Sequence, residues 1–141
     1  MRKTIFLKTF KDFNKLEPGC VAESGDGMLL RKAFGKARVN PLRAQAFWKD
    51  DGLARACAEA GGVFEIQFSA FLAARGRERA RLMQRATAFL KKCVKRRACY
   101  ALSNGFIEGA RVRSDRELQS FGECLGLSLH QAKAAVEEGR G

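Results

Sequence analysis

The sequence predicts an α/β fold with a mainly parallel sheet and helices outside it. Short apolar runs alternate with helical apolar periods along the chain, as they do in consecutive βα units. At 141 residues the chain fits a single domain, 1–141, with no internal repeat, low-complexity tract or linker. A closed eight-stranded βα barrel typically needs about 250 residues. Two architectures therefore stay open: an open α/β sheet, or a fragment of a barrel with edges to cover.

The strand expectations are residues 4–10, 19–23, 37–42, 63–68 and 98–103, each a short apolar run. A weak helix is expected over 26–34. Asp51 is placed to cap a helix carrying Leu53, Ala54, Cys57 and Ala60, with Gly61 and Gly62 to stop it. The longest helix is expected over 77–96. Its apolar stripe of Leu82, Met83, Ala86, Phe89, Leu90, Cys93 and Val94 keeps a 3.6-residue period. Ser114-Asp115-Arg116-Glu117 reads as a capping box for a helix with Leu118, Phe121 and Leu125, ended by Gly126. Ser128 opens a last helix with Ala132, Ala135 and Val136 inward, halted by Gly139.

Charge is the first functional signal. The chain carries 27 Lys+Arg against 15 Asp+Glu, a formal net charge of +12. That balance favours polyanionic partners, with nucleic acid ahead of an anionic membrane. The apolar runs are too short to span a bilayer, and the basic N-terminus is broken by charge too early for a signal peptide. An intracellular protein that binds no membrane is expected. The five cysteines, Cys20, Cys57, Cys93, Cys99 and Cys124, form no Cys-x-x-Cys pair and suit reduced, buried thiols better than a zinc site.

The excess charge is concentrated. Residues 71–100 hold 10 basic side chains and 1 acidic one. Arg77, Arg81 and Arg85 stand at i, i+4 and i+8 on a helix face away from the apolar stripe, and Lys92 and Arg96 extend that side. Like charges at this spacing repel by a few tenths of a kcal/mol per pair, about 0.2–0.5. A row of phosphates would relieve the repulsion, each arginine gripping phosphate oxygens with its fork of donors. An ordinary solvated face would mix both signs. The expected RNA-binding set is Arg75, Arg77, Arg79, Arg81, Arg85, Lys92, Arg96, Arg111 and Arg113.

Catalytic constellations are not found. His130 is the only histidine, with no Asp/His/Cys cluster around it in sequence. Ser69 and Ser103 lack a recognisable His/Asp partner or a nucleophile elbow, and Gly25 and Gly27 do not continue into a phosphate-binding loop. No catalytic residue, metal ligand or cofactor is expected. The one acid singled out in a strand is Glu65. It is expected either to face solvent or to form a structural ion pair with Arg113, which otherwise would hold RNA phosphate.

Several segments share an order and spacing with a known family. They are Phe64-Glu65-Ile66, then Gly76-Arg77-Glu78-Arg79-Ala80-Arg81 opening the long helix, and Ser103-Asn104-Gly105 ending a strand. Arg113-Ser114 follows, then Leu125-Gly126-Leu127-Ser128 leading to Ala132-Lys133-Ala134-Ala135-Val136. Over residues 37–136 the chain resembles the ribonuclease P protein component three family, the barrel-fold subunit of archaeal and eukaryotic ribonuclease P. Departures are Asn40 and Asp115, where many members have Asp and Pro, and Ile107, where a basic residue is common. The resemblance implies a truncated βα barrel of the polymerase/histidinol-phosphatase-like kind, lacking the βα units that normally precede Thr4. It implies a non-catalytic subunit of an RNA-based endoribonuclease. Its partners would be ribonuclease P RNA, ribonuclease P protein component two and, indirectly, precursor tRNA. The short chain suggests an archaeal, cytoplasmic protein; a eukaryotic one would be nuclear. The alternatives are a structural RNA-binding subunit of another ribonucleoprotein and a degenerate metal-dependent phosphoesterase.

Overall fold

The computed structural model describes residues 3–105 and 112–140. Among the described residues there are five strands: β1 (Lys3–Phe6), β2 (Cys20–Glu23), β3 (Arg38–Asn40), β4 (Val63–Gln67) and β5 (Cys99–Ser103). The helices are α1 (Gly27–Ala33), α2 (Asp51–Ala60), α3 (Phe68–Ala73), α4 (Gly76–Arg96), α5 (Asp115–Cys124) and α6 (Leu129–Arg140). A 3-10 helix, Phe10–Lys15, lies between β1 and β2.

All four strand pairings are parallel, and the strands lie side by side in chain order. Parallel neighbours need crossovers, and right-handed crossovers that always step the same way stack their helices on one face of the sheet. Strand alternation then sorts the side chains. Ile5, Ala22, Val39, Phe64, Ile66 and Leu102 join the main core. Glu23, Arg38, Asn40, Glu65, Gln67 and Ser103 point to the other face.

The core is organised around aromatic rings. Phe64 of β4 meets Phe34 edge-on at 5.3 Å and Phe89 of α4 at 4.7 Å, and Phe89 meets Phe47 at 5.5 Å. Edge-to-face pairs of this kind add about 0.5–1.5 kcal/mol each beyond the area they bury. Cys57 and Cys93 belong to this core, and burial pushes the Cys57 thiol up to about 12 and that of Cys93 higher still. Both stay protonated at neutral pH. The expectation of buried thiols fails at Cys99 and Cys124, which are exposed.

Local chemistry moves several boundaries. β1 ends at Phe6 because the Asp12 carboxylate collects the backbone N–H groups of Lys8 (2.7 Å) and Thr9 (3.0 Å), turning the chain into the 3-10 helix. The same two bonds lower the Asp12 carboxyl to about 2. The N-cap of α2 is Asp50, which accepts from Gly52 N at 2.9 Å, so Asp51 falls in the first turn. α3 replaces what reads as the tail of a strand at Phe68.

Gly139 does not stop α6, which runs on to Arg140. It lets α6 lie against β5: any side chain at 139 would run into the carbonyl of Leu102. Gly122 of α5 makes the same allowance, since a Cβ there would sit 2.8 Å from Leu102 Cδ1 and 3.1 Å from Ala132 Cβ. The two glycines let α5 and α6 pack closely at the β5 side of the sheet. At the opposite edge β1 pairs only with β2 among the described residues, and Phe6 and Phe10 are exposed beside it. No helix among the described residues is long and apolar enough to cross a membrane.

Candidate nucleic-acid interface

α4 is the element on which the charge collects. Ala86, Phe89, Leu90 and Cys93 are buried, while Val94, expected inward, is 41% exposed at the margin of the stripe. The opposite face carries Arg77 and Arg81, both exposed, and further along Lys91 and Lys95, also exposed. Glu78 is the only acid in the helix. Arg75, Arg77 and Arg81 have no ion-pair partner among the described residues. They crowd the first turns, where the helix dipole already favours negative charge. The outward face of α4 is strongly positive.

The remaining expected RNA ligands have diverse roles. Arg79 turns away to the end of α3, where its Nε donates to the carbonyls of Phe71 (2.8 Å) and Ala74 (2.9 Å) and its Nη2 to that of Leu72 (3.3 Å). These are carbonyls a short helix leaves unpaired, so Arg79 joins α3 to α4. The change Arg79→Gln should cost about 1–2 kcal/mol in a urea melt, since charged hydrogen bonds contribute at this scale. RNA affinity should change much less than for Arg77→Gln.

Arg96 is likewise engaged within the protein. Its Nε donates to Asp51 Oδ2 at 3.0 Å and its Nη2 meets the same oxygen. That hydrogen bond, with the cation's charge, holds the Asp51 carboxyl below its ordinary range. The pair ties the end of α4 to the start of α2. Arg85 lies over the ring of Trp48, 4.1 Å from its centroid. Lys92 is half-buried, and Arg111 falls outside the described residues.

Arg113 sits where the loop after β5 enters α5. Its backbone is gripped by Asn104, which donates from Nδ2 to Arg113 O (3.1 Å) and accepts from Arg113 N at Oδ1 (2.7 Å). Its guanidinium lies 5.8 Å from the ring of Phe68 and 3.8 Å from Glu117. The expected Glu65–Arg113 pair is therefore replaced by two others. Glu65 takes Arg38, at 3.8 Å between Nη1 and Oε1, and accepts from Gln67 Nε2 at 3.1 Å. Glu65 lies mid-strand beside β3, whereas Arg113, just before α5, finds Glu117 in the first turn of that helix. The start of α3 does meet the end of β5, where Ser69 N donates to Asn104 O at 3.0 Å.

A second polar cluster lies on the sheet face away from the main core. Asn40 Nδ2 donates to Glu23 Oε1 at 2.9 Å, and Arg43 Nε lies 3.2 Å from Glu23 Oε2. Arg38 bridges Glu65 to the end of α6, donating to Glu138 O (3.0 Å) and Glu138 Oε1 (3.1 Å). The buried polar atoms Thr4 Oγ1 and Ser103 Oγ lack a hydrogen-bond partner among the described residues. Alternation of polar and apolar side chains in each strand was the available sequence signal for this cluster. Among the described residues no three His, Cys, Asp or Glu side chains are placed to hold a metal ion, and His130 is exposed. Every carboxylate in the cluster is matched by a cation or an amide.

No protein-family model matches the chain, and no curated protein matches it.

Proposed function

We propose that this protein is an RNA-binding subunit of ribonuclease P, similar to protein component three. In that role it would support 5′-leader removal from precursor tRNA without an active site of its own. The observation that carries the reading is α4: eight basic side chains and one acid over Gly76–Arg96, with Arg77 and Arg81 exposed and unpaired among the described residues. The sheet supports the barrel part of the proposal. A doubly wound sheet reverses its strand order at a switch point, whereas these five strands run consecutively, as they do around a βα barrel. The β1 edge, flanked by exposed Phe6 and Phe10, offers a place for a protein partner of the component-two kind.

Recovery of the tagged protein from its host tests the proposal. Ribonuclease P RNA and component two should co-purify with it in salt-sensitive fashion. Recovery of a different RNA would move the protein to another ribonucleoprotein, a reading the same basic face supports. Chelator-sensitive nuclease activity of the protein alone would instead favour a metal-dependent phosphoesterase.

A further inference from the structure

The loop between β3 and α2 holds the chain's single tryptophan against the basic helix. Phe47 anchors this loop, buried and edge-on to Phe89 of α4. Ala46, just before it, has a φ of 54°, in the left-handed region that non-glycine residues seldom adopt. Its carbonyl accepts from the N–H groups of both Lys49 (2.8 Å) and Asp50 (3.2 Å), which holds the turn in place. Strained turns kept by their surroundings concentrate at functional sites. Here the turn presents Trp48, half-exposed, to Arg85, also half-exposed, with Lys49 Nζ 5.6 Å from the ring centroid.

Arg85 has no carboxylate partner among the described residues. Arg81 and Arg77 follow it along α4, each separated from the last by about 6 Å of helix rise. An isolated arginine over a tryptophan is a common surface contact. This one ends a row of uncompensated arginines and rests on a braced loop. A flat cation on a flat ring is also the surface on which an unpaired base stacks, whereas a duplex keeps its base faces covered. We propose that Trp48 and Arg85 form a stacking site for an unpaired nucleobase, with the adjoining RNA backbone running along Arg81 and Arg77. The proposal rests on the RNA-binding reading and adds to it that the RNA is single-stranded at this point.

Emission from Trp48 provides the test, because no other tryptophan contributes. The full chain is titrated with single-stranded oligoadenylate and with a blunt RNA duplex of equal length. The single strand should quench Trp48, and the duplex should bind with its emission little changed. Arg85→Lys keeps the charge but removes the flat face. It should weaken single-strand binding roughly tenfold, within the range found for loss of one stacked base, and leave duplex binding and the salt slope unchanged. Trp48→Leu should do the same, and Arg85→Lys decides the matter if that variant folds poorly. Equal effects on both RNAs, or salt-sensitive RNA binding that leaves Trp48 emission unmoved, would overturn the stacking site alone. Binding of neither RNA would overturn the stacking site and the RNA-binding reading together.

Discussion

Arg38→Met should lower the unfolding free energy by about 3 kcal/mol, the lower end of the cost of breaking a buried ion pair by removing one partner. Arg38 lies beside Glu65, which is only 2% exposed, and its other contacts reach the last turn of α6. Urea melts of Arg38→Met, Glu65→Gln and the double variant would measure the coupling. The double variant should cost less than the sum of the singles by about 0.5–3 kcal/mol, the range for residues in direct contact. Strict additivity would mean that the two side chains do not act as a pair. Arg113→Gln is the informative contrast, since an exposed i, i+4 pair with Glu117 contributes about 0.5 kcal/mol or less.

Phe89→Ala should be at least as costly, about 3–5 kcal/mol, as for other buried phenylalanines cut back to alanine. Phe89 is fully buried and meets rings from two other parts of the chain, Phe64 in β4 and Phe47 in the loop before α2. Losing it removes the support under Phe47, which in turn holds Trp48. The thermal melt should fall and Trp48 emission should shift to the red in the folded variant. A large loss of stability with unaltered emission would show that the loop is held by something other than Phe89.

The strands were legible because each is a short apolar run between turn residues, and all five fall where the runs lie. The long helix was legible from its period, and the start of α5 from the Ser114–Glu117 box, which forms as a reciprocal cap. What the sequence hid depends on contacts between distant residues. Arg79 belongs to the same charge run as Arg77, and nothing in its spacing reveals that it turns back onto carbonyls of α3. The sequence pointed Glu65 to Arg113 or to solvent, and Arg38 does not stand out in it. The choice of Arg38 follows from strand adjacency, β3 beside β4, which composition does not encode. The Trp48–Arg85 stack joins a loop to a helix face 37 positions further on, so neither residue stands out alone. Gly139 looked like a helix stop, yet its lack of a side chain serves the approach of α6 to β5.

The outward face of α4 is proposed to bind RNA phosphates, and the salt dependence of affinity measures such binding. Log affinity for single-stranded RNA should fall linearly with log salt, by about 0.7 for each phosphate neutralised. Replacing Arg77 and Arg81 together by glutamine should flatten that slope by about 1.4, one such increment for each lost contact. Neither side chain has an ion-pair partner among the described residues, so the fold should be undisturbed. A slope the same in the variant as in the natural chain would leave α4 with a solvated face and place any RNA site elsewhere.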